Sequence, residues 1–128
     1  MSCCILADVM GKKIIGVSAN GLSGEGRVCI ILGVSDFNKF RSGDIIVTRE
    51  TLPVYFPLMV KSSGIITDAG GLLSHAAVVS REIKIPCIVG AKKATTILKD
   101  GELVYLDGGS GMVYPIYPIS RNRDMAVD

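Results

Sequence analysis

The stretch that most constrains this chain is residues 64–90, GIITDAGGLLSHAAVVSREIKIPCIVG. Gly64–Thr67 reads as a strand, and Asp68–Leu73 as a loop carrying two adjacent glycines, Gly70 and Gly71. Ser74 is a good helix N-cap, because its hydroxyl can accept a backbone N–H of the first turn. Ala76, Val79 and Ile83 then recur at helical spacing, which predicts a helix to about Ile83 with those residues turned to the core. Pro86 blocks continuation, and Cys87–Val89 reads as the next strand. The only histidine, His75, sits at the mouth of that helix. A helix N-terminus leaves backbone N–H groups unpaired and carries partial positive charge, so this is a sensible place to hold an anion.

The rest of the chain supplies short, apolar, strand-like runs around this unit. KKIIGV at 12–17 predicts a strand, SANGLSGEG a glycine-rich link, and residues 27–34, RVCIILGV, a strand buried on both faces. The link lacks both the lysine-hydroxyl ending of a P-loop and the spacing of a dinucleotide fingerprint. Ser35–Phe40 predicts a helical turn capped by Ser35 or Asp36, and Ile45–Thr48 a buried strand. Pro53 allows a helix beginning near Thr51, and Pro57 argues against a long one. Ala91–Leu98 predicts a second helix. Glu102–Leu106 and Met112–Tyr117, joined by a turn at Asp107–Gly111, predict a hairpin. Short buried strands with two or three helices give an α/β class with mixed, short-stranded sheets.

At 128 residues the chain is expected to form a single domain, with an N-terminal segment 1–11, a body 12–117 and a polar tail 118–128. Fourteen basic against twelve acidic residues argue against an electrostatic grip on nucleic acid or an acidic membrane. No apolar run approaches membrane-spanning length, and MSCCILADVM lacks the basic start and long apolar stretch of a secretory signal. Cys3, Cys4, Cys29 and Cys87 form no C-x-x-C pair, and one histidine cannot complete a zinc finger, so no metal site is expected. Unpaired thiols fit a cytoplasmic setting.

Histidine attacks phosphorus through an unprotonated ring nitrogen. Gly70 and Gly71, lacking a Cβ, would let backbone approach a bound group. Thr67 and Thr51 are candidate hydroxyl neighbours of such a group, although strand-end or helix-cap duty is the role expected of each. The residues alone leave two roles for His75 open: a histidine that caps or packs at a helix start, and a phosphoryl acceptor. No second histidine exists to build a triad, and no carboxylates form an evident acid/base pair.

The run TDAGGLLSHAAVVSREIKIPCIVG closely resembles the phosphohistidine, or swivelling, domain of the phosphoenolpyruvate-utilizing enzymes. That family includes pyruvate phosphate dikinase, phosphoenolpyruvate synthase and Enzyme I of the sugar phosphotransferase system. The shared pattern is G-G-x-x-S-H-x-x-x-x-(A/S)-R-x-x-x-I-P-x-(I/V)-V-G, and GDIIV at 43–47, DG at 100–101 and LDG at 106–108 agree as well. The resemblance covers roughly residues 14–115. It implies a β/β/α swivelling fold in which His75 is phosphorylated and Gly70, Gly71, Ser74 and Thr67 hold or position the phosphoryl group. It implies a stand-alone carrier that shuttles between an ATP-binding subunit and a subunit binding phosphoenolpyruvate, pyruvate or another acceptor. This chain itself would bind no cofactor, since Mg2+ and ATP or phosphoenolpyruvate belong to those partners. Arg81 matches the pattern too, and its place around the helix from His75 makes it a structural ion-pair former. Leu73 departs from relatives with threonine there, and the chain has no room for an ATP-binding domain. Two rival expectations follow: a non-catalytic interaction subunit of the same fold, and the small subunit of an aconitase-like dehydratase.

Overall fold

A computed structural model describes residues 14–116. The expected N-terminal segment 1–11, the tail 118–128, Cys3, Cys4 and Tyr117 lie outside them. The strands are β1 (Ile14–Ile15), β2 (Val17–Ser18), β3 (Gly24–Ile30), β4 (Ile45–Thr48), β5 (Gly64–Thr67), β6 (Cys87–Val89), β7 (Leu103–Asp107) and β8 (Met112–Pro115). The α-helices are α1 (Phe56–Met59), α2 (His75–Ile83) and α3 (Ala94–Ile97), with 3₁₀ turns at Val34–Lys39 and Pro53–Tyr55.

The strands run in the order β1-β8-β7-β3-β4-β5-β6-β2. β3, β4, β5 and β6 are parallel neighbours, while the pairings of β1, β2, β7 and β8 are antiparallel. β3 serves both halves: Gly24–Arg27 pair with β7 and Val28–Ile30 with β4. β1 and β2 stand at opposite ends of the order, yet only Gly16 separates them in the chain. This one segment therefore stitches the two ends together and leaves the sheet nearly closed. Gly16 donates its N–H to Gly111 O at 2.8 Å. A Cβ at Gly16 would lie 2.5 Å from Val89 O, so only glycine lets the chain pass between the two edges.

Both faces of the parallel strands are buried, which is why they read as continuous apolar runs rather than alternating ones. Ile45, Val47, Ile66 and Ile88 join Val104, Leu106 and Val113 in one core, between the parallel strands and the antiparallel half. Ile46, Ile65, Cys87 and Val89 join Tyr55, Met59, Ala76 and Ala77 in a second core beneath the helical connections. Within α2, Val79 and Ile83 pack on this core beside Ala76, as their spacing predicted.

The result is a mixed α/β domain with few helices. Several boundaries differ from the sequence reading. The strand expected at 12–17 is broken at Gly16. The strand expected at 27–34 begins at Gly24, because the GEG of the supposed link pairs with β7, and it ends at Ile30. Neither Ser35 nor Asp36 caps the 3₁₀ turn: Gly33 holds the N-cap position, and Asp36 accepts from Leu32 N at 2.8 Å. No helix starts at Thr51, since the chain stays extended at Leu52 before the 3₁₀ turn. Ala91–Leu98 shrinks to the single turn α3, where Thr95 and Thr96 are weak helix formers. The hairpin β7–β8 is present with its turn at Asp107–Gly111.

Candidate functional site

Parallel β4 and β5 end side by side at Thr48 and Thr67, and the ladder runs on as Asp68 N donates to Thr48 O and Ala69 N to Arg49 O. The loops that follow carry Thr51 and His75 to the carboxyl end of the strands, the usual place for a ligand in α/β sheets. Asp68 is pinned from the far side. Its carboxylate accepts from Thr95 N at 3.0 Å and from Thr95 Oγ1 at 2.5 Å.

Gly70 turns the loop at φ +98°, and a Cβ there would sit 2.9 Å from the Ser74 Cβ. The turn therefore requires glycine, whereas Gly71 has open space and an ordinary φ. Ser74 caps α2 as expected: its hydroxyl accepts from Ala77 N at 3.4 Å and donates to Gly71 O at 2.8 Å. His75 is thus the first residue of a capped helix, with Lys84 closing the other end in the left-handed region. No acidic residue occupies the first turn of α2.

The His75 ring is half-buried, and its Nδ1 lies 2.7 Å from Thr51 Oγ1. Thr51 is only 4% exposed, so its hydroxyl is held in place by packing. Its role is to engage the imidazole rather than to cap a helix. With Nδ1 taken, Nε2 is the nitrogen left for other chemistry. The Thr67 hydroxyl donates to Ala69 O at 2.7 Å, which is strand-end duty, although the residue still borders the site. A small cleft of about 60 Å³ is lined by Glu50, Thr51, Thr67, Ala69, Gly70, Ser74, His75 and Ala76. It brings His75, Gly70, Ser74 and Thr67 together and leaves Gly71 and Arg81 outside the lining.

The partners of Arg81 are backbone carbonyls rather than the carboxylate expected. Nε donates to Ala19 O at 3.0 Å and a terminal nitrogen to Leu72 O at 2.6 Å. It ties the glycine loop to the segment after β2. Leu73 is 90% exposed, and Leu72 and Leu52, next to Leu73 and Thr51 in sequence, are exposed as well. Sequence reasoning did not single out Glu50. It lines the cleft because Thr51 must follow it into the site, and nothing in the local pattern marks that long-range contact. Cys87 packs beneath α2, and burial pushes its thiol up to about 11. Burial, with the Asp44 carboxylate second, does the same to Cys29, also to about 11. Both thiols are therefore packing groups. Among the described residues no group of three His, Cys, Asp or Glu is placed to hold a metal, and no helix is long and apolar enough to cross a membrane.

Fold and site thus define a mixed α/β domain built to present one histidine at a helix mouth. The family described as PEP-utilising enzyme, mobile domain, matches residues 40–111, and the chain belongs to that family. The phosphoenolpyruvate synthase of Pyrococcus furiosus is 48% identical over 99 residues, covering 77% of this chain and 12% of that protein. The chain therefore spans about an eighth of the length of that relative. An Enzyme I solution structure superposes with a TM-score of 0.54 at 29% identity, covering 66% of this chain and 35% of that one. The aconitase X of Thermococcus kodakaraensis superposes with a TM-score of 0.63, covering 82% of this chain and 98% of that one. At 20% identity that likeness is one of fold alone.

Proposed function

We propose that this chain is a phosphoryl carrier in which His75 Nε2 takes a phosphoryl group from one partner and gives it to another. The observation that carries the reading is the 2.7 Å contact between Thr51 Oγ1 and His75 Nδ1. With the proton on Nδ1 donated to Thr51, the lone pair falls on Nε2, the nitrogen left for attack. As the Nε2–P bond forms, the P–O bond of the donor breaks and its electron pair leaves on oxygen. From phosphoenolpyruvate the leaving group is enolpyruvate, which picks up a proton to become pyruvate; from a nucleotide it is the shortened nucleotide. The N–H of Nδ1 stays with Thr51 throughout. Onward transfer reverses the bond changes at a new acceptor oxygen.

Positioning does most of the work in such transfer, and the rest is charge stabilisation. The α2 N-terminus, whose first residue is His75, would favour the developing negative charge. Mg2+ and ATP, or phosphoenolpyruvate, come with an ATP-binding partner and an acceptor-binding partner. The exposed Leu52, Leu72 and Leu73 offer an apolar rim for transient docking against them. Rigid-body swivelling of the whole domain would carry the group between the two sites. The test is a label transfer. The purified protein is incubated with magnesium, ³²P-phosphoenolpyruvate and an extract of its host, then re-isolated at alkaline pH. Base-stable, acid-labile label on the wild type and none on His75→Ala supports the carrier. Equal label on both proteins, or none on either while the extract consumes phosphoenolpyruvate and ATP, overturns it.

A further inference from the structure

We propose that Asp68 is a positioning residue for His75: clasped by Thr95, it holds the loop so that the Thr51 hydroxyl stays on the imidazole Nδ1. The inference rests on the carrier reading above and adds the residue that keeps its reactive geometry. Both carboxylate oxygens of Asp68 are used, one by Thr95 N at 3.0 Å and the other by Thr95 Oγ1 at 2.5 Å. Thr95 lies in α3, which is anchored where Ala94 and Leu98 are buried in the core that also holds Ile45, Val47 and Ile66. Helix α2 packs instead on the core of Ile46 and Ile65. The clasp therefore ties the loop that leads to His75 to an element on the opposite face of the strands.

Backbone bonds grip the same residues from both flanks. Asp68 N and Ala69 N donate to Thr48 O and Arg49 O at 3.0 Å, while Thr67 O and Asp68 O accept from Ala91 N and Lys92 N at 2.9 Å. Lys92 is held at φ +68°, a left-handed conformation that a lysine keeps only where its surroundings impose it. Past the bond between Ala69 and Arg49 the two arms of the site part. One reaches Thr51 after Glu50, and the other runs through Gly70 to His75. Their ends meet again at the 2.7 Å contact between Thr51 Oγ1 and His75 Nδ1. A hydrogen bond fades beyond about 3.5 Å, so a slip of roughly 1 Å between the arms would lose it. The Asp68 side chain guards against that slip, because it fixes the branch point to the packed α3 as well as to the end of β4. Misplacement on this scale is enough to slow a reaction that depends on an aligned nucleophile.

The test needs no partner. Potassium phosphoramidate phosphorylates histidine directly: the Nε2–P bond forms, the P–N bond of the reagent breaks, and ammonia leaves. Uptake is followed by intact mass at neutral pH, and nitrogen-15 shifts of the ring report which nitrogen carries the proton. Asp68→Ala and Thr95→Val should each slow uptake about threefold and move the ring shifts toward Nε2–H. Asp68→Asn should recover most of the rate, because its amide can accept from Thr95 N and donate to Thr95 Oγ1. Combined with Thr51→Val, neither Asp68→Ala nor Thr95→Val should slow uptake further, since the contact through which they act is already gone. A loss of stability alone would move neither the ring shifts nor this coupling. Melting curves establish which variants fold, and Thr95→Val decides the matter if Asp68→Ala does not fold. Wild-type rates and ring shifts in the folded variants, or equal slowing in the Thr51→Val background, overturn the positioning role and leave the carrier intact. Failure of the wild type to take up phosphate at His75 overturns both.

Discussion

Thr51→Val removes one hydroxyl and little volume, and it isolates the claim that Thr51 sets the reactive nitrogen of His75. The wild-type contact is 2.7 Å, and Thr51 is buried while His75 is half-buried. A net intramolecular hydrogen bond is worth about 0.5–1.5 kcal/mol, and a buried donor left unpaired costs about 1–3 kcal/mol. Water can reach a half-buried ring, so the lower range applies, and about 1–1.4 kcal/mol of bias toward Nδ1–H is lost. One factor of ten in an equilibrium corresponds to about 1.4 kcal/mol. The rate of phosphorylation by phosphoramidate should therefore fall roughly five- to tenfold. Thr51→Ser should keep most of the rate, because it retains the hydroxyl. Nitrogen-15 shifts of the ring report the tautomer directly and should move toward Nε2–H in Thr51→Val alone. Melting curves establish that both variants fold. An unchanged rate and unchanged ring shifts in folded Thr51→Val would refute the reasoning.

Three further outcomes follow from the same geometry. Gly70→Ala forces a Cβ against Ser74 at φ +98° and should cost about 2–3 kcal/mol by denaturant titration, while Gly71→Ala, in open space, should cost under about 1 kcal/mol. Arg81→Met loses the bonds to Ala19 O and Leu72 O; it should lower stability by about 1–2 kcal/mol and speed amide exchange in the loop before α2. In a Cys3→Ser/Cys4→Ser background, Cys29 and Cys87 should resist a thiol-specific reagent at pH 8 until the protein unfolds. Their folded values, raised to about 11, lie above the unfolded thiol, so the unfolded chain loses these protons first. Stability should accordingly fall between about pH 9 and 11, read from melting temperatures across that window.

The parts of the fold legible in sequence are those fixed by local chemistry. Ile45–Thr48 and Gly64–Thr67 match their expected bounds because continuous apolar character marks strands buried on both faces. Helix α2 matches because Ser74 starts it and Pro86 forbids its extension. The start of β3 was hidden, since Gly24 and Gly26 read as turn residues when only their pairing with β7 makes them strand. The closure through Gly16 depends on two edges meeting from opposite ends of the strand order, and no window of sequence contains both. The site divides in the same way. Gly70, Ser74 and His75 fall within six residues of chain, so their closeness is visible locally, while the Thr51 contact spans 24 residues and appears only when β4 and β5 lie side by side. Arg81 was expected to form an ion pair, but its carbonyl partners, Ala19 and Leu72, come from loops whose paths only the fold determines.

The most direct test of the proposed carrier is intact-mass spectrometry at neutral or alkaline pH, on protein mixed with the ATP-binding partner the proposal calls for, magnesium and ATP. Phosphohistidine is acid-labile, so acidic work-up would erase it. A one-phosphate mass gain that vanishes on acid treatment and in His75→Ala is the predicted result. No gain with a demonstrably active partner, or a gain that survives in His75→Ala, would contradict it.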